Sequence, residues 1–179
     1  DDVIIEGNRF SNQTDLSVQC ESSTKILLDG NIITDATHCA IEMTSITDLM
    51  IVNNLVVEST GSDALADILS CTNAKISNNT FKRGSNKAIY ADDTSGLMIT
   101  DNYISDCGVV TSGATAVVVS YSLNATVANN RIFKGTTNRQ GYGIQTIGYA
   151  AMIHGNNLTN AGVAGDILDP NSSLKRDNI

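Results

Sequence analysis

No stretch of this 179-residue chain approaches 18 consecutive apolar residues, so no membrane span is expected. There is no CxxC pair, and neither histidine stands at zinc-finger spacing from the cysteines. The four cysteines (Cys20, Cys39, Cys71 and Cys107) lie 19, 32 and 36 residues apart. They read as buried thiols, because a disulfide framework is out of place at this length. Positive charge is short: 11 Lys and Arg against 19 Asp and Glu leave a net charge of −8 and a pI near 4.5. That balance argues against a nucleic-acid partner, which needs clustered cations to displace counterions. Tryptophan is absent, proline occurs once, and no signal peptide opens the sequence. Hydrophobic residues at 41% and charged residues at 17% exclude wholesale disorder and suit one domain over residues 1–179. What the chain has in quantity is asparagine, 19 residues of it.

The asparagines mark an internal repeat. Asn8, Asn31, Asn54, Asn79, Asn102, Asn130 and Asn156 follow one another at 23, 23, 25, 23, 28 and 26 residues. Three positions before them stand Ile5, Leu28, Ile51, Ile76, Ile99, Val127 and Ile153. Five positions before stand Val3, Ile26, Leu49, Ala74, Leu97, Ala125 and Ala151, and two after stand Phe10, Ile33, Val56, Phe81, Ile104, Ile132 and Leu158. The residue just before each asparagine is Gly, Asn or Asp. Apolar residues two apart give a short strand with one buried face. Gly, Asn or Asp followed by Asn gives a sharp corner, because those residues tolerate left-handed backbone angles. A second strand precedes each repeat: Val18–Cys20, Ile41–Met43, Ala66–Ile68, Ile89–Ala91 and Val117–Val119, with a shifted version near Gly143–Thr146. Stacked coils would climb about 4.8 Å each and carry the asparagines as a hydrogen-bonded ladder. The pattern predicts an all-β parallel solenoid of about seven coils, 23–28 residues each. A leucine-rich horseshoe, with a period of ~20–29 residues, is the competitor. It fits less well, since Ile outnumbers Leu 19 to 12 and no amphipathic helix follows the asparagine.

Coils such as LMIVNN, AKISNN and LMITDN resemble those of the right-handed parallel β-helix in the pectate-lyase-like superfamily. The resemblance runs to about residue 169 and is closest to phage tailspike and other polysaccharide-degrading members. It implies a polysaccharide ligand along the long face, an extracellular or virion-associated location, and a homotrimer within a longer protein. Lys175 stands where the apolar column calls for Ile or Val, and no amphipathic cap opens the chain. Both features read as a fragment of a longer protein or a chain capped by neighbours.

Counting back from the ladder puts Gln19, Glu42, Asp67, Tyr90 and Val118 in one outward column. Glu21, Thr44, Leu69, Asp92 and Ser120 form a second, and His38, Asp63 and Asn86 lie four residues before the first. Glu42, Asp67 and Asp92 are the candidate catalytic residues of a polysaccharide hydrolase or lyase. His38, Asp63, Lys87, Tyr90 and Asp93 are the candidate substrate-binding residues. Cleaving a glycosidic bond needs one protonated acid at the leaving oxygen and one carboxylate as base or nucleophile, and crowding of like charges raises one pKa to suit the acid role. Asp67 and Asp92, on a diagonal, fit the ~6.5–9.5 Å separation of an inverting pair. The bland reading is a solvated acidic face on a chain with 19 acids. Polygalacturonase-like motifs do not carry over: Asp92-Asp93 is present without a Gly-His-Gly, and Arg131-Ile132-Phe133-Lys134 has one residue too many. No metal ligand is assigned and no cofactor is expected, with calcium on Asp67, Asp92 and Asp93 as the alternative. Lys82, Arg83 and Lys87 form a small basic cluster beside the acids, and loops at Cys107–Thr115 and Gly135–Gly141 are placed at the binding face. A non-catalytic shaft or glycan-binding module is the second functional reading.

Overall fold

Every repeat asparagine but the exposed Asn8 is buried where the chain turns, and a buried amide must find partners for both its oxygen and its nitrogen. The computed structural model, which describes residues 2–108, 113–134, 140–162, 164–170 and 173–178, shows how it does so. The Nδ2 of each asparagine donates to the Oδ1 of the next, 3.0–3.3 Å away, from Asn8 through Asn156. The same Oδ1 accepts the backbone N–H of the asparagine below at 2.8–3.0 Å. Asn178 adds an eighth rung by accepting from Asn156 at 3.0 Å. The residue before each rung is left-handed as the corner requires, including Gly30 at φ 64°, Asn78 at 57° and Asp177 at 48°.

Between the corners the coils pair edge to edge in three parallel sheets. Among the described residues, strands preceding the ladder make an eight-stranded sheet, from Asp2–Glu6 through Asp48–Val52 and Met98–Thr100 to Leu174–Arg176. Strands following it make a six-stranded sheet, from Arg9–Ser11 through Thr80–Lys82 and Tyr103–Ser105 to Arg131–Phe133. The third sheet is seven-stranded: Val18–Glu21, Ile41–Thr44, Ala66–Leu69, Ile89–Asp92, Val117–Ser120, Tyr142–Ile147 and Gly165–Leu168. No helix occurs among the described residues, so the chain is an all-β parallel solenoid of about seven turns and not a horseshoe.

The inward columns are those of the repeat. Ile26, Leu49, Ala74 and Leu97 are stacked and sealed from water, as are Ile51, Ile76, Ile99 and Val127 beside them. Each buried Ile or Leu contributes roughly 1.5–3 kcal/mol. Cys20 stacks with Met43 and Ile68, and Cys71 is core, so the thiols fill space as expected and all four are free. In the last coil Lys175 pairs in register with Ile153 yet is exposed, and its Nζ lies 3.2 Å from Asp169.

Candidate functional site

Period-two alternation in the seven-stranded sheet turns one side chain in two away from the core. The strand register stacks Gln19, Glu42, Asp67, Tyr90, Val118 and Gln145 in one outward column. Glu21, Thr44, Leu69, Asp92 and Ser120 form the next. Glu42 and Asp67 are therefore neighbours on adjacent strands, about 4.8 Å apart along the stack, and Asp92 lies on the diagonal from Asp67. Gln19 Nε2 steadies the column from below by donating to Glu42 Oε1 at 2.9 Å and Glu21 Oε1 at 3.3 Å.

The turn leading into the sheet supplies the flank. His38 Nδ1 lies 3.3 Å from Asp63 Oδ2 on an exposed edge. Gly61 allows this approach: a Cβ there would stand 2.5 Å from the Thr37 carbonyl oxygen and 2.8 Å from His38 Cα. One coil on, the Lys87 ammonium sits 5.3 Å from the centre of the Tyr90 ring. Burial pushes the Asp67 carboxyl up to about 6, and the negative charges of Asp63 and Glu42 add to the shift against the opposing pull of Lys87. Burial, with Asp92 and Asp67 nearby, also raises the Tyr90 hydroxyl, whose partner is the Ser120 hydroxyl. Below Asp67, the buried Cys39 thiol donates to the Ile41 carbonyl at 2.8 Å, and burial keeps it protonated. One oxygen of Asp92, Oδ1, is covered and has no hydrogen-bond partner among the described residues, a costly state for a carboxylate.

All eight residues named from the sequence thus fall on or beside one stretch of this sheet. Asp93 is at its rim, in a left-handed corner with φ 49°. Two expectations change. Val118 and Ser120 belong to the outward columns but are buried. Tyr90 below is bonded to Ser120, and Gln145 above pairs with Thr115 at 3.4 Å, so the two long side chains flank Val118. The open acidic stretch therefore ends near Asp92. The basic cluster also divides, because the chain turns a corner between residues 83 and 87. Lys82 lies 5.1 Å from the Tyr103 ring centre on the six-stranded sheet, Arg83 pairs with Glu58 at 3.1 Å, and Lys87 alone faces the acids. Of the two inserted loops, residues 109–112 and 135–139 lie outside the described residues.

Two of the concavities formed by the described residues lie on the other sheets. One, of about 590 Å³, is lined by Arg131, Phe133, Lys134, Asn157, Thr159 and Asn160 at the end of the six-stranded sheet. Beside it, the Tyr103 and Phe133 rings meet edge to face at 5.1 Å, with Arg131 5.8 and 5.6 Å from their centres. The other, of about 330 Å³, lies on the eight-stranded sheet between Met152, His154, Leu174 and Arg176. Neither was legible in the sequence, since each rests on residues that occur once in the repeat.

Three parallel sheets wound from short coils, with polar chemistry mounted on an outer face, define the class of parallel β-helix repeat proteins. Residues 1–138 match the family described as periplasmic copper-binding protein (NosD), and the chain belongs to the NosD family. No curated protein and no solved structure matches it. The β-helix part of the resemblance read from the repeat stands with this family.

Copper favours imidazole, thiolate and thioether donors that converge on one point. His38 leads into the seven-stranded sheet, whereas His154 ends a strand of the eight-stranded sheet. Cys39, Cys71 and Cys107 are buried, and burial raises all three thiols, Cys107 to about 12. Met50, Met98 and Met152 share an outward column but alternate with Lys75 and Thr126, so their thioethers are two coils apart. No group of three or more His, Cys, Asp or Glu among the described residues is placed to hold a metal ion. The described donors do not fit a resident copper ion.

Proposed function

We propose that the outer face of the seven-stranded sheet binds a polysaccharide along the solenoid axis and cleaves it by hydrolysis. The observation that carries this reading is the register: Glu42, Asp67 and Tyr90 stacked on three consecutive strands, with Asp92 on the diagonal. Asp67 is the general acid. Its raised carboxyl gives a proton to the glycosidic oxygen as the carbon–oxygen bond breaks. The second carboxylate either takes a proton from the attacking water or attacks the sugar carbon directly. Diagonal Asp92 suits the first, inverting course, and adjacent Glu42, at about the 5–5.5 Å of a retaining pair, suits the second. Tyr90, Asp63, His38 and Lys87 line the strip that the sugar crosses, and Asp93 marks its rim. Membership of a family described as periplasmic supports a periplasmic site of action. The tailspike likeness supports instead a secreted or virion-borne homotrimer.

A second reading, a glycan-binding module without catalysis, is favoured by one observation. The two concavities described above lie on the other sheets and not at the acidic strip.

The test is a depolymerisation screen on neutral and acidic polysaccharides, reading new reducing ends together with the absorbance of unsaturated products. The expected result is new reducing ends without unsaturation, fading above about pH 6 as Asp67 loses its proton, and lost in Asp67→Asn. Unsaturated ends would replace hydrolysis with elimination. Folded protein inactive on every polymer would leave the binding reading.

A further inference from the structure

Each strand of the seven-stranded sheet from Val18–Glu21 to Tyr142–Ile147 ends in a left-handed corner residue, and the column of corners runs Ser22, Ser45, Ser70, Asp93, Tyr121 and Gly148. Their φ angles are 52°, 56°, 52°, 49°, 42° and 83°. Glycine and aspartate meet that demand at little cost and the small serines at more, whereas an aromatic residue there is a genuine outlier. Tyr121 gains no burial in return, for 55% of it is exposed. The neighbouring coils nonetheless hold it in place. Gly148, one coil above, leaves the space its ring fills: a Cβ there would lie 2.4 Å from Tyr121 Cδ1. Next to that glycine, Tyr149 meets the Tyr121 ring edge to face, 6.4 Å between centres and 89° between planes, and is itself 47% exposed. Strain that contributes nothing to the core, at a solvent-facing aromatic pair, points to function.

We propose that Tyr121 and Tyr149 form a stacking platform for a neutral or amino sugar, extending the acidic strip by one subsite. The proposal rests on the hydrolytic reading of that strip. Asp93 lies directly below Tyr121 in the corner column, and Tyr90 is bonded to Ser120, the residue before it. A chain that crosses the strip diagonally, from Glu42 and Asp67 over Asp92 to Asp93, meets the tyrosine pair next. A pyranose presents carbon-bound hydrogens on its flat face and hydroxyls around its rim. The rings take the first, and Asp93 accepts hydrogen bonds from the second. The same carboxylate, with Asp92, Asp67 and Glu42 down the strip and Lys87 the single lysine or arginine facing them among the described residues, repels a polyuronate. The ligand class is thus narrower than the family resemblance implies.

The chain has five tyrosines and no tryptophan, so tyrosine fluorescence reads binding free of tryptophan emission, and the tyrosine variants assign the response to the platform. Asp67→Asn protein, which does not turn over, is titrated with a glucose oligosaccharide, a chitooligosaccharide and an oligogalacturonate. The expected result is saturable binding of one of the neutral probes, weakened about tenfold or more by Tyr149→Ala and by Tyr121→Asn. Tyr121→Asn should melt no lower than its parent, because asparagine relaxes the left-handed corner. On the Asp67 background both tyrosine changes should raise KM and leave kcat unchanged. Unaltered affinity in both variants, binding of the oligogalacturonate alone, binding of no probe, or a lower melting temperature for Tyr121→Asn would each overturn the platform. Cleavage with KM unchanged in the tyrosine variants overturns the platform and leaves the acidic strip standing. Tyrosine-dependent binding by a protein that cleaves nothing keeps the platform and removes the hydrolytic reading.

Discussion

Replacing Asp67 with asparagine should make the fold more stable at neutral pH. Burial, aided by Asp63 and Glu42, raises this carboxyl from 3.8 to about 6 even though Lys87 opposes the shift. A shift of about 2 units corresponds to about 3 kcal/mol of unfavourable ionisation in the folded chain once both states are charged. The sign follows from proton counting. Between about pH 4 and 6 the folded chain holds a proton on Asp67 that the unfolded chain has released, so stability is full below pH 4 and declines as the pH rises through 6. Asparagine has no charge to bury and escapes that decline. Its amide must still find partners on the strip, which costs about 1 kcal/mol. The net gain at pH 7.5 is then about 2 kcal/mol, and at pH 4, where the carboxyl is protonated in the folded chain, it turns into a loss of up to about 1 kcal/mol. Urea unfolding of both proteins at the two pH values measures it as a midpoint shift at constant slope. An asparagine variant no more stable than the parent at pH 7.5, with the slope unchanged, would refute the assignment of Asp67 as the strained carboxyl of this face. The gain in stability and the loss of cleavage should appear in the same variant, as is usual where an active site is held against its own electrostatics.

Two more outcomes follow from the solenoid itself. Asn79→Ala removes donors to Ile51 O at 2.8 Å and Asn102 Oδ1 at 3.1 Å, and the acceptor for the Asn54 backbone N–H at 2.8 Å. With these groups left buried and unpaired it should cost about 3–5 kcal/mol in urea unfolding, and a loss below about 1 kcal/mol would show that the ladder is ornamental. At the C-terminal end, hydrogen bonds from Thr146, Ser173 and Lys175 overcome the burial of Asp169 and hold its carboxyl down at about 2. The last coil should therefore loosen as the pH falls from about 4 through 2, seen as faster amide exchange at Ser173 and Leu174. Exchange there that is independent of pH-induced opening would refute the link.

The fold was legible because a solenoid states its rules many times over. A strand, a corner and a buried asparagine recur in each coil, so columns such as Ile5 to Ile153 and Asn8 to Asn156 stand out against a varied surface. Once the period is known, the outward columns follow by counting, and that is how Glu42, Asp67 and Tyr90 could be placed together. Residues used once escape this logic. Tyr121 departs from a corner column of Ser, Ser, Ser and Asp, but that column shows itself only after the left-handed angles are seen. Lys82 and Lys87 look adjacent in sequence, and a corner sends them to different sheets. Asn178 was hidden because Lys175 replaces the apolar residue that announces every other rung. Its amide nevertheless continues the ladder.

The ladder has one more consequence, for how such a chain can change over time. Every rung presents the same pair of groups to its neighbours, Oδ1 to the coil before and Nδ2 to the coil after, so any rung can follow any other. Deleting one whole period, such as residues 31–53, would bring Asn54 onto Asn8 with the inward columns still in register. The core does not record how many coils there are, whereas the outer face does, because each deletion or duplication slides one acid relative to the next by a single strand spacing. Separation between carboxylates is then an integer variable, open to revision by copying or losing a coil and indifferent to the packing beneath.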